Sequence, residues 1–478
     1  MNLVSLLRDE DRPALIDPRG ASITFRQLKE RVGTFAGGLV DLGLRPGDRV
    51  VLLVPMSFEL YICLLALFHV GATAVLIDPK APVDSILSRF KPVALFGSPL
   101  AHLLRLKIPQ LRGLGLYVST GFTPLPHWRL STVRGAIPPV DGGEHPALLT
   151  FTTGSTGAPK AIARSHGFLL QQHSILGEHM DLDENDVDMP TLPVFLLHSL
   201  AGGATCVLAD MDLRQVGSLD PKRIAAQMIR QNVTSLAGSP AFLGPLARHL
   251  VETSQTNRTV RRIDTGGARV SAPVLRDVCV AFPRAEITVL YGSSEAEPIA
   301  LLDARANLDE LEEGERSGRG ALVGTPVDAI AVRIDDDEIL VSGPHVNPRY
   351  YQDPEADAKN KVHDPDGRIW HRTGDAGFLD EQGRLWLVGR AGRRIAGRWP
   401  MTVEAPAELL SFVKKAALCD IDGAPQVACT LDSPPPDWAA QIEAAAGVPA
   451  FRLDNIPVDP RHNSKIDRKA LAEVLKQR

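Results

Sequence analysis

Between Thr24 and Ile77 the hydrophobic pattern switches repeatedly from a helical to a strand period, and few folds accommodate that alternation. Thr24 and Gln27 stand where a capping box needs them, hydroxyl and amide each satisfying a free N–H at a helix start. Leu28, Val32, Phe35, Leu39 and Leu42 follow at helical spacing. Gly43 is placed to end that helix and Pro46-Gly47 to turn the chain. Residues 49–54 read as a strand without polar alternation, as expected of a strand buried on both faces. A helix is expected over 58–70 and a further strand over 73–77. Strands alternating with helices predict a largely parallel sheet with helices covering it.

The pattern returns with strands expected at 204–208, 233–237 and 286–291, and helices at 221–231 and 273–282. After about residue 325 the character changes. Residues 331–342, 377–380 and 384–388 read as short strands joined by turns, and 380–383 has hairpin-turn composition. Residues 393–478 read as a small α+β region, its Pro434-Pro435-Pro436 run being a surface loop. At 478 residues the chain is too long for one ordinary core. The expected fold is a large α/β N-terminal domain, 1–389, with mostly parallel sheets covered by helices and a β-rich subdomain. A small α+β C-terminal domain, 390–478, is joined to it by a hinge near Gly389-Arg390.

A formal net charge of −5 argues against a nucleic-acid partner for the chain as a whole. The five cysteines, Cys63, Cys206, Cys279, Cys419 and Cys429, are scattered and form no CxxC pair. That usage predicts neither a disulfide framework nor a zinc site, and it fits a reducing cytoplasm. The start, MNLVSLLRDEDRP, becomes charged at once and lacks the apolar core of a signal peptide. The most apolar stretch, 60–77, contains His69, Gly71 and Thr73. It reads as a buried helix and strand, not as a membrane span, which needs about 20 consecutive apolar residues.

One string speaks to chemistry. Residues 151–160 read FTTGSTGAPK. Thr152, Thr153, Ser155 and Thr156 supply hydroxyls, Gly154 and Gly157 let backbone N–H groups approach phosphate closely, and Lys160 adds a cation. A Walker loop would need glycine-lysine directly before Ser or Thr, so this is another kind of phosphate loop. By composition alone such a string is more often a plain turn.

The string resembles the signature loop of the adenylate-forming superfamily, which includes acyl-CoA synthetases, luciferases and peptide-synthetase adenylation domains. Further segments match in order: Gly266-Gly267-Ala268 resembles the adenine-side turn, and YGSSEAEP from Tyr291 the YGxTE motif. DEILVSGPHV from Asp337 resembles a strand pair, HRTGDAGFLDEQGRLWLVGR from His371 the block before the hinge, and RHNSKIDRKAL from Arg461 the C-terminal lysine motif. The resemblance implies ATP and Mg²⁺ as requirements and a small-molecule carboxylate as substrate. It implies that Thr152, Ser155, Thr156 and Lys160 hold the β- and γ-phosphates, within the loop formed with Thr153, Gly154 and Gly157. Tyr291 would lie near adenine, Ser294 beside the α-phosphate, and Glu295 on Mg²⁺. Asp375 would take the ribose hydroxyls, Arg390 would lie near ribose and the hinge, and Lys465 would reach the α-phosphate and the substrate carboxylate. His198, in LPVFLLHSLAGG, and Gly266 would border the acyl group. His166 and His173, without a third ligand nearby, make a weak metal case, and ordinary surface or packing roles are expected for both.

Each role has a plainer rival. Glu295 could be a helix-start acid, Asp375 a turn former, and Arg390 and Lys465 surface charges. Two departures matter. Lys160 is followed by Ala161-Ile162, where the family usually has glycine, and the hinge-proximal segment 394–404 reads about two residues short between Gly397 and Pro400. That segment helps line the pantetheine tunnel in relatives that use CoA. Residues 189–213, 233–243 and RHNSKI resemble olefin β-lactone synthetases and neighbouring fatty-acyl ligases. The second step is therefore transfer to CoA or a carrier thiol, or closure of a β-hydroxy acyl adenylate on its own hydroxyl. A nucleotide-binding regulator without catalysis is a third reading, opposed by the presence of Lys160, Glu295, Asp375 and Lys465. Nothing in the sequence supports luciferase-like oxygen chemistry.

Overall fold

The structure is a computed structural model describing residues 2–77, 83–143, 145–153, 159–212, 219–458 and 466–476. The chain forms two compact units, each discontinuous in sequence. The first contains Met1–Ala209, Ser294–Ala296 and Pro344–Val362; the second contains Asp210–Ser293, Glu297–Gly343 and His363–Arg478.

In the first unit a sheet runs in the order Trp128–Arg129, Leu116–Ser119, Ala94–Gly97, Arg49–Leu53, Thr73–Leu76, Pro146–Thr153, Pro159–Ser165. Every neighbouring pair is parallel except the last. The expected capping box is present at the helix Phe25–Asp41, where Thr24 accepts from the Gln27 N–H and Gln27 accepts from Thr24. The helix Phe58–Val70 is buried from Leu60 onward, and Gly71 ends it with φ +80°. It is apolar all round because it is covered all round, and the strand after it is buried too. The expected strand at 49–54 is Arg49–Leu53, with Val50 and Val51 fully buried between neighbours on both sides. The antiparallel pair Pro146–Thr153 and Pro159–Ser165 brings Thr152 opposite Lys160, so the two ends of the FTTGSTGAPK string lie on paired strands. This unit also carries Val187–Pro190, Thr205–Val207, Pro13–Ile16 and Ser22–Thr24, paired in that order.

In the second unit Ser235–Gly238, Arg262–Gly266 and Glu286–Ser293 are parallel, linked by the helices Pro240–Glu252 and Ala272–Ala281. The sheet continues through Ala296–Asp303, Ala321–Pro326, Leu385–Arg390, Ile369–Leu379, Glu338–Ser342 and Ala331–Asp335, where pairing from Ala296–Asp303 onward is antiparallel. This is the expected β-rich part. Residues after 400 form a three-stranded sheet, Val413–Ile421, Ala424–Leu431 and Ala450–Arg452, with the helices Met401–Glu408, Trp438–Ala446 and Arg468–Lys476. Val403, Leu418, Val427 and Ile442 centre its own core. The α/β class with a smaller C-terminal part is thus the observed one. Two expected strands are displaced: 233–237 is Ser235–Gly238, because the Val233 N–H still bonds back to Met228, and 377–380 is the end of a longer strand, Ile369–Leu379. No helix among the described residues is long and apolar enough to cross a membrane. All five cysteines are free thiols.

Candidate active site

In the first unit Lys160 lies on the strand Pro159–Ser165. Its ammonium donates to Asn360 Oδ1 at 2.9 Å and stands 5.2 Å from the centroid of the Tyr350 ring. Tyr350 is buried, and its hydroxyl donates to Glu295 Oε1 at 2.9 Å. Lys160 and Glu295, far apart in sequence, therefore meet through one tyrosine. The backbone explains the placement. The Asn347 N–H donates to the Glu295 carbonyl at 2.7 Å, the Asn347 side chain donates to the Ala163 carbonyl at 2.6 Å, and Ile162 bridges to Tyr350. Arg164, buried, donates to the Ser294 carbonyl at 2.8 Å and to Thr150 Oγ1 at 3.0 Å, fixing the segment before Glu295.

Lys361 completes the cluster. It is 6% exposed, donates to the Asn347 carbonyl, and its ammonium lies 5.3 Å from the same Tyr350 centroid. Burial pushes this lysine down to about 8; Glu295 and Asp357 oppose that shift, and Lys160 adds to it. Burial, and then the Glu295 charge, push the Tyr350 hydroxyl up, so it stays protonated and donates. Two ammonium groups thus attend one aromatic ring that orients a buried carboxylate. Sequence reasoning named Lys160 and Glu295 but missed Tyr350, Asn360 and Lys361. These lie in RYYQDPEADAKNK, which carries no recognisable motif.

In the second unit Tyr291, Asp375 and Arg390 come together. The Tyr291 hydroxyl donates to Asp375 Oδ2 at 2.9 Å, and Arg390 Nη1 donates to Oδ1 at 2.6 Å. Asp375 and Arg390 are cross-strand partners. A Cβ at Gly374, where φ is +71°, would lie 2.8 Å from Arg390 Nη2, so glycine is what lets the guanidinium sit over the turn. Thr373 Oγ1 donates to the Ile339 carbonyl at 2.8 Å and accepts from the Asp375 N–H at 3.1 Å. Burial, followed by the Asp375 charge, pushes the Tyr291 hydroxyl well up and keeps it neutral.

Gly266 ends the strand Arg262–Gly266 against its neighbour; a Cβ there would lie 2.2 Å from the Leu290 carbonyl oxygen. Gly267 follows with φ +79°, and then Ala268. Arg269, beside this turn, pairs with Glu408 and, at 3.6 Å, with Glu315. Burial works against its charge, but Glu408, Glu315 and Glu404 outweigh that and hold it protonated.

His198 is buried in the helix Pro193–Gly202, whose first position is proline and whose end is Gly203 at φ +96°. Its Nδ1 lies 2.8 Å from His173 Nδ1, on the helix His166–Met180. One ring must donate and the other accept, so the two neutral rings are in opposite tautomers. Burial, and secondly His173, push His198 down to about 3. His166, for which a packing role was one expectation, sits edge-on to Phe68 at 5.6 Å. Ser294 is half-buried. Gly154, Ser155, Thr156, Gly157 and Lys465 lie outside the described residues, as do the side chains of Thr152 and Thr153.

The profile of a family described as "AMP-binding enzyme" matches residues 5–351, more than half of the chain. The chain belongs to this family. An olefin beta-lactone synthetase of Stenotrophomonas maltophilia is 33% identical over 505 aligned positions, which take in 94% of this chain and 91% of that protein. A long-chain-fatty-acid–CoA ligase of Thermus thermophilus is 29% identical across 83% of this chain and 78% of its own length. Among solved structures, an amide bond synthetase from Marinactinospora thermotolerans superposes with a TM-score of 0.83 at 23% identity, covering 99% of each chain. An anthranilate CoA ligase in complex with anthranoyl-AMP also reaches 0.83, at 20% identity, covering 100% of this chain and 98% of its own. The protein is accordingly an enzyme, an adenylate-forming ligase.

Proposed function

We propose that this enzyme activates a fatty or other acyl carboxylate with ATP, and that with a β-hydroxy acid the substrate's own hydroxyl then closes a β-lactone. A carboxylate resists attack because its charge repels nucleophiles and oxide is a poor leaving group. Attack of a carboxylate oxygen on the ATP α-phosphorus, with pyrophosphate leaving, converts it to a mixed anhydride. The hydroxyl oxygen then attacks the acyl carbon, its proton passes to solvent or a base, and AMP leaves. Ring closure within one bound molecule has the rate advantage of proximity.

The observation that carries the adenylation reading is the Lys160–Tyr350–Glu295–Lys361 cluster beside the phosphate-loop hairpin, a buried carboxylate oriented among cations. Glu295 offers the hard oxygen that Mg²⁺ selects, so the residues present fit that ion. When bound, Mg²⁺ supplies charge that offsets the polyphosphate's repulsion of the substrate carboxylate. In this reading Lys160 and the 152–157 loop hold the β- and γ-phosphates, and Ser294 lies at the α-phosphate. Tyr291 and the Gly266-Gly267-Ala268 turn border adenine, and Asp375 with Arg390 takes the ribose. Lys465 neutralises the developing charge at the α-phosphate, on a small C-terminal domain that turns at 389/390. His198 and Gly266 border the acyl group. A cytoplasmic location goes with the five unpaired thiols.

The similarity to olefin beta-lactone synthetases along 94% of the chain supports the lactone step. Transfer to CoA or a carrier thiol is the second reading, supported by the similarity to a long-chain-fatty-acid–CoA ligase. Incubation of a long-chain β-hydroxy acid with ATP and Mg²⁺, without CoA, followed by mass spectrometry separates them. Ring closure predicts a product one water lighter than the acid, with AMP and pyrophosphate. A product that forms only with CoA, and is its thioester, would select the second reading.

A further inference from the structure

Lys361 has no place in the motifs that identify the family, yet it is the more deeply buried of the two ammonium groups around Tyr350, 6% exposed. Three observations fix what it does there. Its ammonium is tethered to the Asn347 carbonyl, and the Asn347 N–H in turn holds the Glu295 carbonyl at 2.7 Å. It lies 5.3 Å from the Tyr350 centroid, and the hydroxyl of that ring holds Glu295 Oε1 at 2.9 Å. The Glu295 charge also favours the ammonium form of Lys361. Asp357 and Asp353 face the same tyrosine, and Lys160 stands 5.2 Å from its ring, so the site is balanced between carboxylates and ammonium groups. A buried lysine held by a backbone carbonyl keeps one position, unlike a surface lysine.

The geometry points to Lys361 as a positioning residue of the adenylation site, a built-in cation beside Glu295 that tempers its grip on a divalent ion and favours the bound triphosphate. The inference rests on the adenylation reading above. Its physical content is a pair of opposite effects. A fixed positive charge beside a metal ligand weakens metal binding by repulsion. The same charge strengthens the binding of a polyanion nearby. Loss of packing alone would weaken both.

The test uses the full-length enzyme and two probes: Mn²⁺ binding followed by electron paramagnetic resonance without nucleotide, and the KM for ATP in carboxylate-dependent pyrophosphate exchange. Glu295→Gln identifies the Mn²⁺ site that is read. Lys361→Gln keeps a donor for the Asn347 carbonyl but removes the charge. We expect it to bind Mn²⁺ at that site about tenfold more tightly and to raise the KM for ATP about tenfold. Lys361→Met, close in volume to lysine, should do the same and serves if the glutamine variant fails to fold. Lys361→Arg, which keeps the charge, should return both quantities toward wild type. A Glu295-dependent Mn²⁺ site whose affinity is unchanged or weakened in folded, neutral Lys361 variants overturns the role of Lys361 alone. Mn²⁺ binding that Glu295→Gln leaves intact, or a wild type that supports no exchange, overturns the adenylation reading and Lys361's role with it.

Discussion

Single side chains carry the strongest expectations. Replacing Lys160 by alanine removes the cation at the phosphate loop, and Glu295→Gln removes the charge that Tyr350 orients. Each is expected to lower kcat/KM for pyrophosphate exchange by about 10²–10³-fold, the range for losing one preorganised electrostatic contact. Exchange within about twofold of wild type would remove that residue from the site. The buried histidines make a prediction about acid. His198 is held down to about 3 and His166 to about 4, both by burial first, against an ordinary value of 6.5. Below pH 6.5 the unfolded chain binds the protons that the folded protein refuses. Stability from these groups is therefore complete above pH 6.5 and falls as pH drops toward the folded values, by at most about 1.4 kcal/mol per pH unit for each histidine. His198→Gln should flatten the fall in Tm between pH 6.5 and 4, and an unchanged slope would contradict it. Lys160, Glu295, Asp375 and Arg390 were identifiable as candidates in the sequence because each sits in a short, ordered motif. Tyr350 and Lys361 were not, because their importance arises from pairing across the fold with Ile162 and Glu295, and nothing local signals it.

At the scale of elements, glycine and ion-pair placement decide how the site is held. The strand Arg262–Gly266 packs so closely on its neighbour that a Gly266→Ala methyl would press on the Leu290 carbonyl oxygen. The backbone cannot yield as a side-chain tip does, so a loss of about 1–3 kcal/mol is expected in denaturant unfolding. A variant as stable as wild type would show that the strands can part. Beside this turn, Arg269 is neutralised by Glu408 on the helix Met401–Glu408 and by Glu315 on the helix Leu308–Arg316. Glu408→Leu alone leaves the buried guanidinium without one of its partners and should cost about 3 kcal/mol. The triple change Arg269→Met with Glu408→Leu and Glu315→Gln, which strands no buried charge, should recover much of that loss, and equilibrium unfolding of the two variants would show it. Helices were the most legible elements, because caps mark their ends: Thr24 with Gln27 at one start, and Gly43 and Gly71 past two ends. The strand Ile369–Leu379 was half hidden, because polar His371 and Thr373 are buried in it and break the apolar pattern a buried strand would show. Tertiary hydrogen bonds, such as Thr373 to the Ile339 carbonyl, make that composition tolerable.

At the scale of the whole molecule, the order of motifs along the chain identified the family, and the matched profile over residues 5–351 agrees. The parallel sheet expected from alternating strands and helices is present, with the antiparallel pair Pro146–Thr153 and Pro159–Ser165 at one edge. The acyl group was not legible, because a pocket for it would draw on side chains from separated segments, and a meeting such as that of His198 with His173 is announced by no spacing rule. As an adenylate-forming ligase, the enzyme activates a carboxylate through its adenylate. Carboxylate-dependent exchange of labelled pyrophosphate into ATP tests it most directly, across a panel of fatty, aromatic and long-chain β-hydroxy acids. Exchange is expected with at least one acid, greatest among the β-hydroxy acids, dependent on Mg²⁺ and lost in Glu295→Gln. No exchange with any acid of the panel, from folded enzyme that still binds ATP, would contradict it.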